Sequence, residues 1–469
     1  MKTATLDERP GTKSTPHAMQ TPAALHSQTA TQDGEDGPRA MATLIDTESL
    51  AGPDRTTVRN PVPEQSAKAG ESGILPGSDT YRRVSFALFL AGFSTFSLLY
   101  CVQPLLPAFT EEFHIGAAQS SLALSLSTGF LAFSILVGGV LSERLGRKSL
   151  MFASMALAAV FNMLAGLAPD WHLLLAARAL EGMALGGVPA IAMAYLAEEI
   201  APQGLGLAMG LYVGGTAFGG MMGRVGMSFL TEFFSWRVAL LAVGALDLAM
   251  AIAFVLMLPP SRNFVRKLHL TMGDHLRLWR RHLQHRSLPL LFAVGCLSLG
   301  VFVTIYNYAA FRLMSAPFSL SAGATGLVFS AYIFGVVASS WAGALADRFG
   351  RGPLMTAGVL ISIAGLLLSA SSALDVVITG IVLMTIGFFT AHAVASGWVG
   401  RMAVGAKGHA SALYLLAYYL GSSLIGSVGG WFWQHGGWQA VAAFSLVLLL
   451  VCLGCAGLLW RRVRTATLA

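Results

Sequence analysis

Charge is scarce in this chain. Asp, Glu, Lys and Arg make up only 11% of its 469 residues, roughly half the fraction of a soluble domain. Cysteine is scarcer still. Cys101, Cys296, Cys452 and Cys455 all fall in apolar runs. Cys452-Leu-Gly-Cys455 has the spacing of a redox motif, but no βαβ pattern surrounds it, and it reads as small residues packing in the last helix. No Walker loop occurs, which argues against ATP as the energy source. No metal-ligand cluster and no nucleophile–base arrangement stands out, so neither an enzyme nor a cofactor is expected.

What the chain has is apolar length. Hydrophobic residues make up 55% of it, and the mean hydropathy is +0.65. Runs of about 20 apolar residues repeat along most of it, the pattern of an all-α polytopic membrane protein with the lipid bilayer as its solvent. The formal net charge is +7. The cations sit in short turns between runs, not on one contiguous face. Nucleic acid is therefore not an expected partner, and positive-inside topology explains them better.

Residues 1–80 are rich in Thr, Ser, Pro, Gly, Asp and Glu and show no apolar periodicity. They read as a disordered cytoplasmic tail, with a start nearer Met41 or beyond as the alternative. They contain no apolar core of a signal peptide. From Tyr81 the runs predict about twelve spans, six in a bundle at 81–260 and six in a second at 287–464. Between them, 261–286 is rich in Arg, Lys and His, carries Trp279, and reads as an amphipathic interfacial linker. Residues 465–469 are a short tail.

Two charged turns interrupt this plan: Gly139-Val-Leu-Ser-Glu143-Arg144-Leu-Gly146-Arg147-Lys148 and Gly343-Ala-Leu-Ala-Asp347-Arg348-Phe-Gly350-Arg351. They lie roughly 204 residues apart, and self-similarity at one long period indicates a duplicated unit. Trp236 and Trp438 open equivalent spans, and Gly182 has a near-equivalent in Gly387. With both turns inside, about nineteen Lys and Arg fall on the inner side against about two (Arg237, Arg312) outside, a bias that sets orientation. Both termini are then cytoplasmic.

The turns resemble the loop between helices 2 and 3 of major facilitator superfamily transporters, with Glu143 in place of the usual Asp. The resemblance covers about residues 81–464. Arg178-Ala-Leu-Glu181-Gly182 and Tyr195-Leu-Ala-Glu198-Glu199 are similar to the bacterial drug:proton antiporter branch. The resemblance implies two pseudo-symmetric six-helix bundles around a central cavity in a bacterial inner membrane. It implies an inner gate in which Glu143, Arg144 and Arg147 engage an acid at the end of the fourth span, Glu198 or Glu199, repeated by Asp347, Arg348 and Arg351. It also implies that Arg178 faces the cavity and takes part in proton coupling. Gly210, Gly219 and Gly223 match the antiporter glycine motif. That motif calls next for Pro, and this chain has Arg224.

Ionisable groups inside spans are costly, and function is the default reading. Arg178 and Glu181 share a helical face. They serve either proton coupling or an internal salt bridge. Equal counting from the turn near Ala201–Pro202 puts Arg224 at their depth, so one cluster of three charges is expected. Its surplus positive charge would be answered by a substrate anion or by Asp247. Asp247 itself reads first as a structural hydrogen-bonding group. His392 could titrate near neutral pH or be a packed, satisfied residue. Tyr100, Gln103, Tyr306, Asn307, Tyr308, Arg312, Tyr418 and Tyr419 are candidate cavity lining, although Tyr at helix ends equally anchors the membrane interface.

The expected protein is a monomeric secondary transporter that exports a small organic solute in exchange for protons, by rocking of its halves. A proton-linked importer is the alternative within the class. A non-transporting receptor or scaffold is the alternative outside it, and proton flux in vesicles separates the two classes.

Overall fold

The computed structural model describes residues 73–263, 272–403 and 406–468. The expected tail before residue 73 lies outside the described residues. The tail boundary at residue 80 is too late. α1 (Asp79–Tyr100) begins at Ser78, whose Oγ accepts from the Tyr81 amide at 3.1 Å, a standard N-cap. Before it, the Ile74 amide donates to the Glu199 carbonyl at 2.8 Å, and the Ile74 carbonyl accepts from Ala201 at 3.1 Å. The chain is already bonded to the fourth span there.

The first span is not one unbroken helix. It leaves the α-helix after Tyr100, makes a 3-10 turn at Gln103–Leu105, and continues as α2 (Leu106–Phe113). Pro104 cannot donate an amide to a longer α-helix. A short α3 (Ala117–Ser120) leads into α4 (Leu122–Leu145), and α5 (Arg147–Leu167) follows. The fourth span is also broken, into α6 (Trp171–Leu185) and α7 (Pro189–Glu199), with Pro189 opening the second piece. α8 (Pro202–Phe233) and α9 (Trp236–Met257) complete the first half.

The linker contains α10 (Met272–Leu283). His275 Nδ1 lies 2.8 Å from His409 Nε2, and Trp279 packs on the second half's apolar cluster. The second half has α11 (Leu288–Met314), α12 (Ala322–Val328), α13 (Tyr332–Phe349), α14 (Arg351–Leu368), α15 (Leu374–Met402) and α16 (Lys407–Leu468). Non-helical dihedrals at Gly436 and Gly437 divide α16 into two spans. Among the described residues ten runs are long and apolar enough to cross a bilayer. With α16 divided and the broken α6–α7 counted, about twelve crossings result.

The duplication is visible in matched details. Gly146 and Gly350, with φ of +81° and +87°, turn the chain between equivalent helices, a conformation that favours glycine. On α8, Gly215, Gly219 and Gly223 lie against the α1 backbone, where a Cβ at Gly219 would sit 2.1 Å from the Phe93 carbonyl oxygen. Small residues permit such approach. In the equivalent pair, a Cβ at Gly421 of α16 would sit 2.0 Å from the Cys296 carbonyl oxygen of α11. Gly210, the first residue of the expected glycine motif, faces open space instead.

The apolar core shows how the halves meet. On the side away from the charged turns, one continuous cluster joins both halves, including Leu98–Phe109, Leu174, Leu240, Phe302–Leu313 and Met384–Phe388. On the charged-turn side there are two separate clusters. One contains Tyr81, Met151 and Leu196, and the other contains Leu288, Met355 and Trp398. Cross-half contacts follow the same division. Ser423 donates to the Ser125 carbonyl at 2.7 Å, and the Gly323 amide donates to Glu232 at 2.6 Å. Beyond Gly129, α4 exposes Phe133 and Val137, and α13 exposes Phe334, Val337 and Trp341. The halves are closed at the face opposite the charged turns and parted at the charged-turn face.

Candidate functional site

One group of buried charges lies inside the first half. Arg178 and Glu181, one turn apart on α6, are both fully buried and form an ion pair through Arg178 Nη1 and Glu181 Oε2. Arg178 also donates to the carbonyls of Ala123 at 3.0 Å and Leu99 at 2.9 Å, and to Asn162 Oδ1 at 3.4 Å. One guanidinium thus ties α1, α4 and α5 to α6. Asp247 on α9 is fully buried too, and its Oδ2 accepts from Ser97 Oγ at 3.1 Å. Glu181 Oε1 and Asp247 Oδ1 have no hydrogen-bond partner. Through Ser97, Asp247 reaches the same stretch of α1 that Arg178 reaches at Leu99.

Arg224 is not part of this group, contrary to the expected cluster of three. The side chain points between the halves. Its Nε bonds Gln103 Oε1 and its Nη1 bonds the Gly220 carbonyl. The guanidinium carbon lies 4.1 Å from the Tyr100 ring centroid, 4.6 Å from Tyr332 and 5.9 Å from Phe329. Gln103 Nε2 in turn donates to Asn307 Oδ1 at 2.6 Å. Tyr100, Gln103, Arg224 and Asn307 therefore form one site shared by both halves.

From that site a ladder of rings runs into the second half. Tyr332 lies 5.4 Å from Tyr306, Tyr306 4.6 Å from Phe302, and Phe302 4.0 Å from Phe388. Phe388 stacks on His392, which lies 4.5 Å from Tyr418. Tyr306 Oη is 2.7 Å from Thr385 Oγ1, His392 Nδ1 is 2.9 Å from Tyr414 Oη, and Tyr419 is buried edge-on to Tyr418. Tyr308 turns away and donates to the Gly426 carbonyl at 3.0 Å. Tyr332, Phe329 and Asn162 were not foreseen, because a neutral residue in an apolar run carries no charge signal. Asn162, a lone amide in its span, was the one legible hint.

Arg312, like Tyr308, departs from the expected cavity lining. It donates to the carbonyls of Ser369 and Ser371 at the end of α14, with its guanidinium 4.8 Å from the Trp438 ring centroid. Arg237 does the same in the first half. It donates to the Ala168 carbonyl at the end of α5 at 2.6 Å and lies 4.3 Å from Trp236. Both arginines cap the last carbonyls of equivalent helices.

In the charged turns, the side chains of Glu143 and Arg144 lie outside the described residues. Arg147 forms a two-pronged pair with Glu198, whereas Glu199 accepts from the amides of Arg262 at 2.7 Å and Asn263 at 2.9 Å. Asp347 Oδ1 lies 3.0 Å from Arg351 and 3.8 Å from Arg401, and Arg348 is exposed beside Phe349. Each pair stays within its own half, as the parted charged-turn face requires.

The chain matches the profile of the Major Facilitator Superfamily over residues 86–315 and 290–468. It is 44% identical over 393 residues to the uncharacterized MFS-type transporter YybF of Bacillus subtilis (strain 168), covering 83% of this chain and 96% of that one. It is 43% identical over 390 residues to the inner membrane transport protein YnfM of Escherichia coli (strain K12), covering 83% and 93%. Among solved structures, a bacterial homologue of the human lysosomal transporter Spinster, inward-facing and occupied, aligns with a TM-score of 0.69 at 16% identity over 82% of this chain and 98% of that one. The nucleoside transporter NupG aligns at 0.66 and 16% over 79% and 99%. At such identity the structures share the fold. The chain belongs to the Major Facilitator Superfamily and is a membrane transporter of that type.

Proposed function

We propose that this transporter exports a small organic solute in exchange for protons, with the charged-turn face in the cytoplasm of a bacterial cell and 81–260 rocking against 287–464. The observation that carries the proton reading is a count of buried charge. Buried Arg178 pairs with buried Glu181, while buried Asp247 belongs to no ion pair among the described residues, and each carboxyl has an oxygen that lacks a hydrogen bond. The group is neutral when one carboxyl holds a proton, and uncompensated charge inside a membrane protein is costly. A proton held there and released on the other side is a coupling device. The excess of Lys and Arg in the charged turns and linker supports the orientation. The outward direction of solute transport rests on the resemblance to drug:proton antiporters.

The purified protein in liposomes containing a pH-sensitive dye tests this reading. A solute gradient that the protein dissipates should move protons oppositely, and a protonophore should speed solute flow. Solute movement with no accompanying pH change, under either gradient, contradicts the antiport.

A further inference from the structure

The pair Arg178–Glu181 leaves Arg224 without an acid. Arg224 is fully buried, and among the described residues it belongs to no ion pair. Its partners are neutral: a side-chain amide, a backbone carbonyl and aromatic rings. Its Nη2 has no hydrogen bond. At the other end of the Arg224–Gln103–Asn307 chain, Asn307 Nδ2 also has none. A buried positive charge and two NH2 groups without acceptors thus occur together at the seam between the halves. Both deficits call for the same thing, an anionic acceptor.

We propose that Arg224 and Asn307 bind the carboxylate of a transported organic acid, whose apolar body lies against Tyr100 and Tyr332. The proposal rests on the transporter reading above and names its substrate class. The placement fits alternating access. Arg224, Gln103 and Tyr100 belong to the first half, and Asn307, Phe329 and Tyr332 to the second. A solute entering between the parted halves from the charged-turn face would replace the Gln103–Asn307 bond with its carboxylate, and rocking would then expose it on the other side. The rings hold the guanidinium when no solute is present, as cation–π contacts do. A lipophilic cation, by contrast, would meet a like charge in this site.

The test uses the full chain in detergent and in liposomes. Benzoate, salicylate, phenylacetate and 4-hydroxybenzoate are each compared with the corresponding neutral amide by equilibrium binding and by counterflow. At least one carboxylate should bind about tenfold or more tighter than its amide, the factor a charge-assisted hydrogen bond supplies. R224Q should remove that preference, and N307A should reduce it while R224 remains. The wild-type comparison requires no variant to fold. If no carboxylate is preferred to its amide, or if R224Q transports carboxylates unchanged and only alters accessibility of the two faces, Arg224 is a latch and the proposal is overturned. Carboxylate transport dependent on Arg224 but without proton movement would sink the antiport reading and leave this one standing. Proton-coupled transport confined to neutral or cationic solutes would do the reverse.

Discussion

In the first half Arg178, Glu181, Arg224 and Asp247 are all fully buried. Among the described residues of the second half's crossings, no Asp, Glu, Lys or Arg is. Buried polar groups there are hydroxyls and an amide, such as Ser298, Thr304, Asn307 and Thr385. The scaffold nevertheless repeats closely, in the glycine approach of Gly219 and Gly421, the turns at Gly146 and Gly350, and the caps Arg237 and Arg312. The difference separates what duplication preserves from what function requires. Close packing and helix ends constrain both halves equally. Buried charge is unfavourable in either, and its presence in one half only is the reason we place the proposed chemistry there. The second half supplies stacked rings, two of which, Phe329 and Tyr332, lie beside Arg224.

That comparison can be broken most sharply at Arg178. Arg178→Met leaves Glu181 without its cation and should destabilise the protein by about 3–5 kcal/mol, seen as a large loss of melting temperature in detergent. Adding Glu181→Leu should restore most of the melting temperature but not transport. A double variant no more stable than the single one would show that the carbonyl bonds of Arg178, not the ion pair, dominate.

The scaffold side comes next. Gly219→Val and Gly421→Val should each destabilise by about 1–3 kcal/mol or more, since each adds atoms against a helix backbone. Similar losses in the two halves support a repeated scaffold, and a harmless Gly421→Val would contradict it. Smaller still, Arg237→Ala and Arg312→Ala should each cost about 1 kcal/mol and leave solute affinity unchanged. A specific loss of solute binding in Arg312→Ala would return Arg312 to the cavity.

The smallest effect on stability is expected at the charged turns. Arg147→Ala removes the Glu198 pair in one half, and Asp347→Asn weakens a pair in the other. Melting should hardly move. Labelling of a cysteine placed at the charged-turn face should change by a few-fold, because a contact made unequally in two states shifts their balance. Unchanged labelling and unchanged flux would reduce both to topology signals.

Most of the architecture was legible because it rests on composition and periodicity. The apolar runs gave the spans, and the repeated turns gave the duplication. The breaks at Gln103–Leu105 and Gly186–Val188 were not foreseen, although Pro104 and Pro189 mark both. Membrane helices often absorb proline, so the residue alone does not decide the matter. In the site, the spacing of Arg178 and Glu181 on one helical face was readable, and the two form an ion pair. Side-chain azimuth was not, because it depends on which helices approach closely. Gly215, Gly219 and Gly223 bring α8 onto α1 and turn Arg224 toward Gln103, away from Glu181. The Gly182–Gly387 correspondence also dissolves in detail. Gly182 lies against Ser127 of α4, while Gly387 lies against Gly358 and Ser362 of α14.

The most direct measurement of the central claim compares the pH dependence of solute flux in liposomes for four proteins: wild type, Glu181→Gln, Asp247→Asn and His392→Gln. If the proton chemistry belongs to the first half, Glu181→Gln or Asp247→Asn flattens the pH profile and uncouples solute from proton flow, while His392→Gln keeps the wild-type profile. A flat profile in His392→Gln with normal profiles in both carboxyl variants would place the proton in the second half and contradict the account.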